Sequence, residues 1–212
     1  MFVQSHKIMA DHIYHYVEEH SGLSLNLLRF RAGNMSPDLP LYHSHLKHYK
    51  HQNFEYILDM VQKLSESKPL SNVGALKNYS YKLGVICHYL CDYFCYPHHN
   101  RRYFHDKLGE HLKYERDLHK VIKKFRRSDH LPQYYFNEIL AQNPDRQFNV
   151  LEMIEEFHRD YMSERPSFYT DSTYAISVTS IIASIIVLAS IGKASLKISI
   201  EVDRDFQEDI AI

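Results

Sequence analysis

The sequence contains no tryptophan and only three cysteines in 212 residues. Cys87, Cys91 and Cys95 are odd in number and fall four apart, which stacks them on one stripe of a helix. That pattern suits reduced thiols packed in a core better than a disulfide framework, with a thiolate metal site as the lesser reading. A charge excess is also missing. Lysine plus arginine number 25 against 26 for aspartate plus glutamate, so nothing global attracts a nucleic-acid backbone or an acidic membrane, and a charged ligand must be met locally. The opening MFVQSHKIMADHIYHYV lacks a basic region followed by an apolar stretch and a small-residue cleavage site. No secretory signal is visible, and a cytoplasmic location is expected.

Repeats, low-complexity stretches and alternating strand patterns are absent as well, whereas helix-period apolar spacing recurs through most of the first 165 residues. Residues 4–20 read as a first helix. Gly33, Asn34, Ser36, Pro37 and Pro40 mark a turn-rich loop before a second helix near 43–66. A third, about 76–95, carries Leu83, Ile86, Leu90 and Phe94 at spacings of three and four and stops before Pro97. A polar loop over 97–107 leads to a fourth helix, about 108–127, closed by Lys123, Lys124, Arg126 and Arg127, a basic run that suits a helix carboxyl end. A short fifth helix lies between Pro132 and Pro144, and a sixth near 148–162.

Residues 173–191, TYAISVTSIIASIIVLASI, carry no charge and are long enough to span a bilayer. Five hydroxyl residues, Ser177, Thr179, Ser180, Ser184 and Ser190, dilute that run, and aromatic belts at both ends are missing. The favoured reading is a helix buried in a protein core. The expected organisation is one helical domain over 1–192 with an acidic tail over 193–212.

What the chain has in abundance is histidine, with 16, and tyrosine, with 17. A histidine followed four residues later by a carboxylate puts both on one helix face, close enough to share a metal ion. About two such pairs are expected by chance at this composition. Four occur: His15/Glu19, His51/Glu55, His88/Asp92 and His111/Glu115. Context separates them. His88 and Asp92 sit in the apolar run LGVICHYLCDYFCYP, where an imidazole and a carboxylate are costly to bury without a partner. A metal ion answers that need, and so does a hydrogen-bonded pair. His15/Glu19 and His51/Glu55 lie in polar surroundings and read as solvated helix faces.

In order along the chain, SHKIMADHI, GNMSPDL, SHL, HYLCD with the PH that follows, and HLKYE resemble the ligand segments of the bacterial zinc-dependent phospholipase C family. The fold of that family is similar to that of the three-zinc single-strand nucleases. The resemblance covers roughly the first 120 residues, and five short motifs in one order are far more specific than any one. It implies an all-α, single-domain helical bundle and the ligands His6, Asp38, His45, His88, Asp92, His98, His111 and Glu115. One zinc ion would be held by Asp38, His45, His88 and Asp92, a second by His6 with Asp92 bridging, and a third by His98, His111 and Glu115. The secreted members also use the amino group and carbonyl of an amino-terminal tryptophan well upstream of their first histidine. Here Met1 precedes His6 by only five residues.

Two or three zinc ions at such a site would activate a water for in-line attack on phosphorus, with Asp38 as the group that takes its proton. The implied substrate is a phospholipid or a small phosphodiester, met in transient contact with a membrane surface. Nothing in the sequence is a specific nucleic-acid signal. The alternatives are a single-strand nuclease-like phosphodiesterase and a metal-stabilised helical scaffold without turnover. Lys82, Arg101 and Arg102 read as solvated charge with a phosphate contact as the lesser role. His43, His48, His99 and His105 read as neighbours of the ligands or surface residues.

Overall fold

The computed structural model describes residues 1–39, 49–99, 108–131 and 134–198. They form an all-helical domain: α1 (Val3–Ser21), α2 (Leu27–Met35), α3 (Lys50–Ser65), α4 (Val73–Asp92), α5 (Tyr96–His99), α6 (Leu108–Ile122), α7 (Tyr134–Gln142), α8 (Val150–Ser163) and α9 (Phe168–Ser190). Two short parallel strands, β1 (Gln147–Asn149) and β2 (Ser195–Lys197), pair Phe148 with Leu196 and bracket α8 and α9.

Local chemistry sets the ends of several helices. Asn26, Asn72, Asn149 and Ser167 each accept a backbone N–H of the first turn of the helix that follows, as good amino-terminal caps do. Gly22 closes α1 in the left-handed conformation at φ 75°, where its N–H reaches the Glu18 carbonyl.

The core is built around α9, which packs on α1, α3, α4, α6 and α8. Every residue from Asp171 to Leu188 is buried except Tyr174. Three of its hydroxyl groups are tied to neighbouring elements. The Ser177 hydroxyl accepts the Leu131 N–H at 2.8 Å, Thr173 donates to the Asp129 carbonyl at 3.3 Å, and Thr179 meets the Cys91 thiol at 3.5 Å. The apolar run is therefore long enough for a bilayer but is surrounded by the protein's own helices. Burial pushes the Cys91 thiol up to about 12 and those of Cys87 and Cys95 well above the ordinary range. All three cysteines are free and act as small apolar packing groups.

Several boundaries differ from the sequence reading. Gly33 and Asn34 lie inside α2 rather than in a loop, and Ser36–Asp38 is a 3₁₀ turn that continues it. The glycine is there for contact: α2 crosses α4 so closely that a Cβ on Gly33 would collide with the Tyr81 carbonyl, and one on Gly84 with the Phe30 carbonyl. α4 runs from 73 to 92 rather than 76 to 95, and Pro97 opens α5, where a missing N–H breaks no helical bond. α6 ends at Ile122, so Lys123, Lys124, Arg126 and Arg127 follow the helix instead of lying in its last turn. The start of the helix expected near 43–66 and the end of the acidic tail lie outside the described residues.

Two half-buried imidazoles pack among aromatic rings. His130 lies among Tyr16, His12 and Phe125, and His158 beside His99 and Phe94. Burial first, and then neighbouring cationic groups, lower His130 to about 4 and His158 to about 3.

Gly84→Ala should destabilise the protein by about 1–3 kcal/mol through overpacking of the α2–α4 contact, measured as a drop in urea midpoint. Between pH 6.5 and about 4 the unfolded chain binds protons that folded His130 refuses, so stability should fall as pH falls through that window. His130→Phe should make the acid slope of the thermal midpoint shallower, and an unchanged slope would remove His130 as a contributor.

Candidate metal centre

The polar cluster forms where four helices and one turn converge. α4 supplies His88 and Asp92, one turn apart and fully buried, because the apolar stripe that drives the helix into the core carries them with it. α1 supplies buried His6, whose ring stacks on that of His88 with centroids 3.9 Å apart. The 3₁₀ turn after α2 brings Asp38, whose side chain is 16% exposed. α5 supplies His98, and α6 supplies His111 and Glu115 one turn apart.

Asp92 is the hub. Its Oδ1 lies 3.1 Å from the Met1 amino nitrogen and 3.3 Å from His6 Nε2, while Oδ2 lies 3.5 Å from His88 Nε2 and 3.7 Å from His98 Nδ1. Asp38 spans the two stacked rings, with Oδ2 at 3.8 Å from His6 Nε2 and Oδ1 at 3.6 Å from His88 Nε2. On the other side, Glu115 Oε1 lies 2.8 Å from His111 Nε2 and 3.7 Å from His98 Nε2. His6, Asp38 and His88 form one group whose ligand atoms all lie within 4.8 Å of one another; His98, His111 and Glu115 form a second.

These distances test whether the donors suit zinc. Two atoms bound tetrahedrally to one ion at about 2.0–2.1 Å from it are separated by roughly 3.4 Å. The five contacts of 3.5 to 3.8 Å linking imidazole nitrogens to Asp38, Asp92 and Glu115 exceed a good hydrogen bond and approach that separation. Tautomers point the same way. His88 Nδ1 donates to the Asn34 carbonyl at 2.9 Å, which turns the lone pair of the neutral ring, on Nε2, toward two carboxylates. The buried ring nitrogens of His6 make no hydrogen bond among the described residues. The His88 lone pair facing the Asp38 and Asp92 carboxylates needs a cation between them, so the donor set fits a divalent ion.

Electrostatics show how strongly the cluster attracts positive charge. Burial by itself would raise the Asp92 carboxyl, but the Met1 ammonium and the imidazoles of His98, His6 and His88 outweigh it and hold it well below the usual range. Burial likewise opposes ionisation of Glu115, and the hydrogen bond from His111, with the His98 imidazole and the Met1 ammonium nearby, reverses that and depresses it. The Met1 ammonium is fully buried; burial disfavours its charge, yet Asp92 and Glu115 push it up to about 12.

His45 lies outside the described residues, as do His43, His48, Arg101, Arg102, His105 and Asp106. His15/Glu19 and His51/Glu55 are exposed, and Glu19 pairs with Arg127. Lys82 is exposed. His99 turns away from the cluster; it donates from Nε2 to the Tyr93 carbonyl and meets His158 at 3.3 Å.

Sequence reasoning missed three contributors. The Met1 amino group enters the cluster because only Phe2 separates it from α1, whose first turn carries His6. The Asn34 carbonyl, which orients His88, is a backbone group with no sequence signature. Asp171 is the third: it is buried in the first turn of α9, where the Tyr96 N–H and the hydroxyls of Tyr114 and Tyr161 donate to it at 3.0, 2.9 and 2.9 Å. Burial still raises its carboxyl to about 6 against those bonds. A single acid at the head of an apolar run was the available clue.

Among protein families, the model described as zinc dependent phospholipase C matches residues 5–168. Neither the curated proteins nor the solved structures give a match.

Proposed function

The chain belongs to the zinc-dependent phospholipase C family, and from that premise we propose that it hydrolyses the phosphodiester of a phospholipid or of a small phosphocholine-like or phosphoethanolamine-like ester. The observation that carries the reading is the spacing inside the cluster: imidazoles and carboxylates held 3.3 to 3.8 Å apart, with the His88 lone pair facing two carboxylates. Under this reading His6, Asp38, His45, His88, Asp92, His98, His111 and Glu115 hold two or three ions. Zinc bound there would supply an activated water for in-line attack on phosphorus and would offset charge growing on the phosphoryl oxygens.

The roles of the protein groups follow from their burial and direction. Asp92 is fully buried and cannot meet a substrate; its two oxygens face different histidines and hold the two halves of the cluster in one electrostatic unit. Asp38 is partly exposed, so it is the carboxylate that water can reach, and it is the group assigned to take a proton from the attacking water. The Asn34 carbonyl fixes the His88 tautomer and raises its basicity as a ligand. With balanced overall charge, contact with a membrane surface would be brief.

One observation favours a second reading. The Met1 ammonium already meets Asp92 and Glu115 at 3.1 and 3.4 Å, and a cluster part-neutralised in that way could hold fewer ions and serve as a scaffold.

Purified protein should carry two or three zinc ions per chain by elemental analysis. Asp92→Asn should remove zinc and lower the phosphodiesterase rate by about 100-fold or more, since even indirect partners of a metal cost 10–100-fold. His15→Ala should change neither. Full zinc occupancy without turnover on phospholipid vesicles, a phosphocholine ester or single-stranded nucleic acid would leave the scaffold reading standing.

A further inference from the structure

The second group of donors is assembled from two separate stretches of chain, His98 on α5 and His111 with Glu115 on α6. A metal site tolerates little error in the distance between its halves. One buried carboxylate on a third element touches both stretches. Asp171 Oδ2 accepts the backbone N–H of Tyr96, two residues before His98, at 3.0 Å. The same oxygen accepts the hydroxyl of Tyr114, next to Glu115 in sequence, at 2.9 Å. Its other oxygen accepts the Tyr161 hydroxyl of α8 at 2.9 Å.

The peg is rigid. Asp171 is fully buried at the head of α9, the helix on which the core is built, and its own N–H bonds to the Ser167 carbonyl at 3.0 Å. It takes part in none of the ion pairs between described residues, and the groups seen to offset its burial are neutral donors. A carboxylate is suited to this place because it only accepts: three donors can converge on it with no competing N–H of its own. An acid so expensive to bury is poorly explained by packing, which an apolar side chain would serve better.

We propose that Asp171 is a positioning residue that sets the distance between His98 and the His111–Glu115 pair, and so governs the affinity of the metal site they form. The proposal rests on the reading of those three residues as a metal site, and controls keep the two separable. Asp171 touches no ligand atom itself; it acts through the Tyr96 backbone and the Tyr114 ring.

The test is zinc titration of the full chain against a chromophoric chelator, with circular dichroism confirming that each variant is folded. Asp171→Ala should weaken one ion of the wild-type complement by about 10–100-fold and leave the others unchanged. Asp171→Asn should restore that ion to within a few-fold. Its carbonyl oxygen can accept from both Tyr96 and Tyr114, while its amide donates to a turned Tyr161 hydroxyl. Tyr161→Phe, which removes a bond to the same carboxylate but to neither half of the site, should keep the full complement. Wild-type affinity in folded Asp171→Ala would overturn the proposal. So would equal loss of every ion, or the same loss in Tyr161→Phe. His111→Ala removes a ligand directly; if it leaves the complement unchanged, the metal-site reading itself fails, whatever Asp171 does. Should Asp171→Ala not fold, Tyr114→Phe is measured instead: weakening of the same ion supports the proposal, and no change overturns it.

Discussion

A single ionised carboxylate with no exposure to water constrains the whole molecule. Asp92 cannot be sheltered by an apolar core without severe cost unless positive charge is brought to it. The fold sets the Met1 ammonium, just ahead of α1, at 3.1 Å, and gathers His6 of α1, His88 of α4 and His98 of α5 within 3.7 Å of the same carboxylate, where a shared cation would meet them all. The arrangement of these helices can be read as the solution to that one electrostatic requirement, with α9 serving as the apolar surface on which they are mounted.

Some helices were legible in the sequence: α1 and α8 fall close to where the pattern placed them, α3 ends where it was expected to, and α9 matches its uncharged apolar run. α2 was not legible. LLRFRAGNM has no clear apolar stripe, and Gly33 and Asn34 resemble turn residues. Their presence in a helix is explained only by the partner across the crossing, which no local window contains. The strands were hidden for a similar reason, because three residues each, paired across two intervening helices, leave no alternation to detect.

The donors that sit on helices, His88 with Asp92 and His111 with Glu115, could be picked out as local pairs, and burial separates both from the exposed pairs His15/Glu19 and His51/Glu55. Their convergence with His6 and Asp38 came from resemblance, not from spacing. Groups that act through the backbone, such as the Asn34 carbonyl, leave no trace in residue type at all. α9 shows the converse limit: composition made it a candidate for lipid, and only the partners of Ser177, Thr173 and Thr179 reveal what surrounds it.

The crossing of α2 and α4 has an effect on how mutational surveys of this protein would read. Asn34, whose carbonyl orients His88, follows Gly33 directly, and His88 lies one turn beyond Gly84. The register of that imidazole is thus set by two atoms that are missing. An alanine scan, which elsewhere deletes matter, adds it at these two positions. A loss of turnover there would map to residues that carry no functional group, and it would report a change of calibre between two rods rather than any chemistry of their own.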